Sequence, residues 1–231
     1  MNNTVHLVDC MEFMKDLPNN AYDLAIVDPP YGIGWDGTEI PSKLQVRGNG
    51  TTPTINRPDH VVKGWDCGIP SDEYFDEIKR IAANQIIWGG NYFNLPPTKC
   101  VICWDKKQSF KIFSAWEMAW TSFSSVATIF RFDNKGFMNK EGQNIHPTQK
   151  PVALYKWLLQ NYAKPGQAIF DSHVGSGSIR IACHDLGFDF TGCEIDKDYW
   201  EAQEARYQTH AAQGRLFDPE DIAVEYSQCE L

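Results

Sequence analysis

The sequence predicts an α/β domain built on a mostly parallel sheet of about seven strands, and three observations predict it. Short apolar runs such as Leu24-Ala25-Ile26-Val27, Ile86-Ile87-Trp88 and Ala168-Ile169-Phe170 are continuous rather than alternating, as strands covered on both faces are. Segments with helical apolar spacing lie between such runs. The runs lead into an acid or a glycine (Asp28, Gly89, Asp171), which places ligand-type residues at the carboxyl edge of the sheet, where open α/β sheets bind their ligands.

Taken in order, Val5-His6-Leu7-Val8 reads as a short strand ending at Asp9. Cys10 to Leu17 has the helical spacing Met11, Met14, Leu17 and is broken by Pro18-Asn19-Asn20, with Asp9 suited to cap it. The strand Leu24–Val27 delivers Asp28-Pro29-Pro30-Tyr31 to the sheet edge. Neither proline has an N–H and both have a fixed φ, so the neighbouring carbonyls become rigid acceptors with no donor beside them. With a carboxylate and an aromatic ring added, the site suits a flat heterocycle carrying an –NH2 group. The plainer reading is an Asp-Pro-Pro turn with Tyr31 as packing.

Gly32-Ile33-Gly34-Trp35 opens a long polar stretch, 36–64, rich in Gly, Pro, Thr and Asn and carrying Lys43, Arg47, Arg57 and Lys63. A loop of this length in a compact domain is functional or disordered. Beside the Asp-Pro-Pro-Tyr edge it is expected to be a mobile loop closing on the substrate, with a plain disordered insertion as the competing reading. Ser71 caps a helix through about Ala83, with Asp72 and Glu73 at its positive end. Gln85–Trp88 opens into Gly89-Gly90-Asn91-Tyr92-Phe93, whose glycines permit close approach of a ligand. Strand-like runs follow at Val101–Trp104, Met118–Thr121 and Val126–Phe132. The basic loop Lys106-Lys107-Gln108-Ser109-Phe110-Lys111 between the first two suits phosphate contact. Pro151 begins a helix to Ala163 with Leu154, Trp157, Leu158 and Tyr162 on its apolar face. Lys164-Pro165-Gly166 turns into Ala168–Phe170, then Asp171 and the glycines Gly175 and Gly177. Phe190-Thr191-Gly192-Cys193 ends at Glu194, and a helix runs from Asp196 to about Ala212.

The chain has 231 residues, enough for one domain with a real core, and 42% of them are hydrophobic. No apolar run approaches the ~18 residues of a membrane span. The start, Met1-Asn2-Asn3-Thr4, lacks the basic and apolar regions of a signal peptide. Seven scattered cysteines argue for a reducing cytoplasm over a disulfide framework. Cys100 and Cys103 form a lone C-x-x-C inside a strand, which points to packing rather than zinc. The net charge of −9 is unevenly spread: residues 40–160 hold 15 Lys and Arg against 10 Asp and Glu. The acidity therefore lies towards the ends, which leaves the middle of the chain able to face a polyanion.

Asp28-Pro29-Pro30-Tyr31, His146-Pro147-Thr148-Gln149-Lys150-Pro151 and Asp171-Ser172-His173-Val174-Gly175-Ser176-Gly177-Ser178, in this order, resemble the motifs of the beta group of S-adenosylmethionine-dependent DNA amino-methyltransferases. The resemblance covers most of the chain from Val5 to about Tyr207. It implies a Rossmann-like methyltransferase fold with a permuted order, the catalytic half preceding the cofactor half. It implies S-adenosyl-L-methionine as cofactor and double-stranded DNA as partner. Asp28, Pro29, Pro30 and Tyr31 would then be catalytic. Asp9 and Cys10 would lie beside the cofactor's adenine, and Thr148 and Lys150 at its methionine carboxylate, a simple helix cap being the other reading of that segment. Asp171, Gly175 and Gly177 would form its loop, and Glu194, 23 residues beyond Asp171, would suit the ribose diol. Members of the family usually read Asp-Pro-Phe where this chain has Asp171-Ser172-His173, and His173 is taken as a loop substitution.

The implied reaction is methylation of an exocyclic base amine in DNA, with adenine N6 as the expected target. Cytosine N4 is the alternative, though such enzymes more often carry Ser where this chain has Asp28; a catalytically silent DNA-binding relative is another. Lys43, Arg47, Arg57, Lys106, Lys107 and Lys111 are the expected DNA contacts, and 105–145 the expected target-recognition region. The tail, 213–231, begins Gln213-Gly214-Arg215-Leu216-Phe217, whose spacing resembles the short peptide that docks on the bacterial sliding clamp. The plainer reading packs Leu216 and Phe217 on the domain's own core. A monomer and a homodimer both remain open.

Overall fold

The computed structural model describes residues 2–34, 63–107, 114–132 and 145–213, with the backbone of 43–45 and 54–56. In chain order its elements are β1 (Asn3–Leu7), α1 (Cys10–Lys15), β2 (Tyr22–Val27), β3 (Lys43–Gln45), β4 (Thr54–Asn56), α2 (Asp72–Ile81), β5 (Ala82–Trp88), β6 (Val101–Asp105), β7 (Trp116–Thr121), β8 (Thr128–Arg131), α3 (Val152–Tyr162), β9 (Ala168–Asp171), α4 (Ser178–Leu186), β10 (Asp189–Glu194) and α5 (Lys197–Ala212).

One eight-stranded sheet runs β1-β10-β9-β2-β5-β7-β6-β8. From β1 to β5 every neighbour pair is parallel; β7 is antiparallel to both β5 and β6, and β8 returns parallel to β6. All the apolar runs seen in the sequence are used, so the sheet has eight strands rather than about seven. It is the expected α/β architecture.

The sheet is covered on both faces. Along β2 the side chains alternate. Leu24 and Ile26 join a core with Leu154, Tyr155, Leu158 and Leu159 of α3 and Ile179 and Ala182 of α4. Ala25 and Val27 join the opposite core with Met14 of α1 and Tyr74, Phe75, Ile78 and Ile81 of α2. This double burial explains why β2 reads as a continuous apolar run. Two segments depart from expectation. The helix begun after Ser71 stops at Ile81, because Ala82 turns extended and pairs with Tyr22 of β2; sheet pairing overrides alanine's helix preference. The polar stretch 36–64 is also not wholly irregular, since Lys43–Gln45 and Thr54–Asn56 pair as a two-stranded antiparallel ladder.

Parallel pairing puts the carboxyl ends of β1, β10, β9, β2 and β5 on one edge. Asp9, Glu194, Asp171, Asp28 and Gly89 therefore converge there, although they are scattered over the chain. Among the described residues no helix is long and apolar enough to cross a membrane.

Candidate active site

β2 stops at Val27 because Pro29 and Pro30 cannot donate to a ladder. The chain then turns under the control of Asp66, whose Oδ1 accepts the N–H groups of Tyr31 and Gly32, each at 2.8 Å. Asp66 is buried. Tyr31 donates its hydroxyl to Asp28 Oδ1 at 2.5 Å. Its ring stacks on the exposed Tyr92 at 5.0 Å and meets the edge of Phe93 at 6.1 Å. The ring also lies directly over Gly89 (φ +72°), where a Cβ would stand 2.2 Å from Tyr31 Cε1. Burial, then the charges of Asp28 and Glu117, push the Tyr31 phenol well above its usual range, so it remains a donor.

The other Asp28 oxygen, Oδ2, accepts from Lys150 Nζ at 2.5 Å. Lys150 also lies 3.2 Å from Glu117 Oε2 and 3.3 Å from the Tyr31 hydroxyl, and Glu117 Oε1 is paired with Lys106. Two carboxylates and two ammoniums thus form one chain of charge, Asp28–Lys150–Glu117–Lys106. Burial alone would raise the Glu117 pKa, but Lys150 and Lys106 outweigh it and hold it at about 2. Burial likewise works against the Lys150 ammonium, and Asp28 and Glu117 reverse this, raising its pKa. Lys150, expected at the cofactor's carboxylate, is instead paired with Asp28 and Glu117, because a buried ammonium needs counter-charges.

Thr148 is likewise turned inward, its hydroxyl 3.1 Å from His146 Nδ1. The His146 ring packs on Tyr199 at 4.4 Å and on Trp65 at 5.1 Å, and it lies over Gly175. His146 therefore lies over the glycine loop at Gly175, and Thr148 and Lys150 take these partners within the protein.

The cofactor half is built around Glu194 at the end of β10. Its Oε2 accepts the N–H of Gly175 at 2.8 Å and its Oε1 that of Asp196 at 2.9 Å. Burial raises its pKa. Val8, Asp9, Cys10, Ser172, His173, Glu194 and Ile195 line a recess beside it. Asp9 caps α1, accepting from Met11 N at 2.7 Å, and so holds that wall in place. Cys10 is pushed up to about 12, chiefly by burial, and stays a neutral thiol. Burial pushes Asp171 up to about 8, while His173, which donates its N–H to Asp171 at 3.0 Å, is lowered to about 4 by burial and stays neutral. Gly177 begins α4 with Gln203 packed against it, and Val174 fills the space over Gly192.

The expected DNA contacts divide. Lys107 is exposed at the end of β6. Lys106 is not a surface cation: it turns onto Glu117 and over the Trp104 ring at 4.9 Å, because a half-buried carboxylate needs a counter-charge. Lys43 is described by its backbone alone, and Arg47, Arg57 and Lys111 lie outside the described residues, as do Leu216 and Phe217 of the tail. Gln213 caps the end of α5. Within 105–145, most of the described part belongs to the end of β6, to β7 and β8 and to their connection, so it is part of the central sheet.

Sequence reasoning did not single out Glu117 or Asp66. Glu117 had a signal: it is an acid inside the aromatic run Trp116-Glu117-Met118-Ala119-Trp120, where a charge is rarely buried without a partner. Asp66 had none, since its partners are backbone N–H groups 34 and 35 residues away.

Residues 104–205 match a protein-family model described as DNA methylase. The match takes in the second and third motifs and Glu194; Asp28–Tyr31 lies outside it. The type II methyltransferase M.HpaI of Haemophilus parainfluenzae is 32% identical over 83 residues, 36% of this chain and 26% of that protein, so the matched stretch spans about a quarter of the relative's length. YubD of Escherichia coli (strain K12) is 23% identical over 217 residues, 86% of this chain and 87% of YubD. The M1.HpyAVI–SAM complex superposes with a TM-score of 0.53 at 18% identity, covering 88% of this chain and 98% of that one. The cytosine-N4-specific PvuII DNA methyltransferase superposes with a TM-score of 0.58 at 12% identity, covering 99% and 92%. At these identities the likeness is one of fold, and the fold is that of these methyltransferases. The DNA methylase model covers the part of the chain that holds the second and third motifs, and one superposed structure is a cytosine-N4-specific DNA methyltransferase.

Proposed function

We propose that the chain transfers a methyl group from S-adenosyl-L-methionine to the exocyclic N6 amine of an adenine flipped out of double-stranded DNA. The observation that carries this reading is the Asp28 carboxylate, oriented by Tyr31 and Lys150 at the sheet edge shared with the glycine loop and Glu194.

The residues fit the cofactor. Glu194, fixed through both oxygens by backbone N–H groups, is a preset acceptor for a ribose diol, and the recess with Val8, Cys10 and Ile195 suits a flat base. Asp9 borders that recess, and Asp171, Gly175 and Gly177 shape the loop opposite. When bound, S-adenosylmethionine supplies an electrophilic methyl on a sulfonium that leaves as a neutral thioether.

The amine of adenine is a poor nucleophile because its lone pair is delocalised into the ring. Asp28 and the Pro29 carbonyl accept its two hydrogens, which favours a pyramidal nitrogen and stabilises the positive charge that develops on it. A proton then leaves the methylated nitrogen to solvent. Tyr31 and Tyr92 offer aromatic surface for a base that must leave the duplex to reach the site. Pro30 fixes the turn that holds Asp28 and Tyr31 together. Lys107, with Lys43, Arg47, Arg57 and Lys111, supplies phosphate contacts, and the Gln213–Phe217 segment is a candidate clamp peptide.

Adenine N6 is preferred over cytosine N4 because of the Asp at position 28. Mass spectrometry of nucleosides from the DNA of cells expressing the chain tests the choice. N6-methyladenine absent from control cells is expected. N4-methylcytosine instead would move the target to cytosine, and neither product would contradict the reaction.

A further inference from the structure

Both oxygens of Asp28 are already engaged, Oδ1 by the Tyr31 hydroxyl and Oδ2 by Lys150. The proposed reaction, on which this inference rests, needs that carboxylate for the target amine. Lys150 is 3% exposed and cannot be released to water. An ammonium left beside Asp28 would also oppose the positive charge growing on the amine nitrogen. Among the described residues it has one other carboxylate in reach, Glu117 Oε2 at 3.2 Å.

Glu117 is well placed for this. It sits on β7, opposite Trp104 of β6, so its backbone is fixed by the sheet and independent of the Asp28 turn. Its second oxygen is held by Lys106, and Lys150 with Lys106 keeps it ionised. Lys150 packs over the rings of Trp88 and Tyr31, at 5.3 and 5.7 Å, so a small swing of its head group keeps its surroundings.

We propose that Lys150 and Glu117 are a positioning pair: Lys150 orients Asp28 in the free protein, and Glu117 takes up the ammonium when the target amine claims the carboxylate. Glu117 touches neither substrate nor cofactor and acts through Lys150. Without it, Lys150 has Asp28 as its sole carboxylate among the described residues and stays locked there, competing with the base.

The test is a set of single-turnover methyl-transfer rates on a DNA that the wild-type chain methylates, using full-length protein and normalised to sites that bind cofactor by calorimetry. Glu117→Gln should slow transfer by roughly 100-fold with cofactor affinity held within about twofold, as expected when a reacting group is mispositioned. Lys150→Met alone should cost less. Glu117→Gln combined with Lys150→Met should be faster than Glu117→Gln by about tenfold, because the competing ammonium is gone. A merely structural pair would give a double variant no faster than Glu117→Gln, and that result overturns the proposal, as would a Glu117→Gln rate equal to wild type. If Glu117→Gln fails to fold, Glu117→Asp carries the same comparison: adding Lys150→Met must speed it. A wild-type chain that methylates no DNA amine would instead refute the reaction itself.

Discussion

The ring of Tyr31 rests on Gly89 so closely that a Cβ at position 89 would stand 2.2 Å from Tyr31 Cε1. Glycine is required there twice, once by its φ of +72° and once by the ring. Gly89→Ala should therefore displace Tyr31, break its bond to Asp28 and depress methyl transfer. The left-handed backbone adds roughly 1–2 kcal/mol of instability. Thermal unfolding and methyl-transfer assays of the variant check both effects.

Glu194→Ala should chiefly weaken cofactor binding, by about 1–3 kcal/mol for a lost charged acceptor. It also strips the N–H groups of Gly175 and Asp196 of their partner, which loosens the loop. Calorimetry with S-adenosylmethionine reads the loss, and an unchanged affinity would remove Glu194 from the ribose site.

Lys106 and Lys107 are adjacent but should behave differently. Lys107→Gln should weaken binding of cognate and random duplexes alike and reduce the salt slope by about 1. Lys106→Gln should leave that slope unchanged and lower the melting temperature, because its partner is Glu117. A fall in salt slope for Lys106→Gln would show that it reaches phosphate after all.

Asp171 should make the protein less stable as pH rises. Burial lifts its pKa from 3.8 to about 8, so the folded protein keeps a proton that the unfolded chain loses. Stability from this group is full below about pH 4, declines as pH climbs towards 8, and is flat above it. Asp171→Asn, which keeps an acceptor for the His173 N–H, should raise the melting temperature more at pH 8 than at pH 5. An equal effect at both pH values would count against a buried, neutral Asp171.

The sheet was legible because β2, β5 and β9 are buried on both faces, and that leaves an unbroken apolar run in the sequence. The motif acids were legible because each ends such a run. Lys150 was legible as a site residue but not in its partner, since 122 residues separate it from Asp28 and only the folded sheet edge joins them. Lys106 read as surface charge because its neighbours Lys107 and Lys111 are basic; its pairing with Glu117 depends on the register of β6 against β7, which the sequence does not display. The helix end at Ile81 was missed for a similar reason, as Ala82 is extended only because Tyr22 is there to pair with it.

The most direct measurement of the central claim compares methyl transfer with cofactor binding in Asp28→Ala. In the proposed reaction the Asp28 carboxylate accepts from the target amine, and Asp28 is not among the residues lining the Glu194 recess. Transfer of methyl to DNA should therefore be abolished, while calorimetry shows S-adenosylmethionine binding at close to wild-type affinity. Loss of cofactor affinity as severe as the loss of activity, or transfer persisting at the wild-type rate, would contradict the role assigned to Asp28.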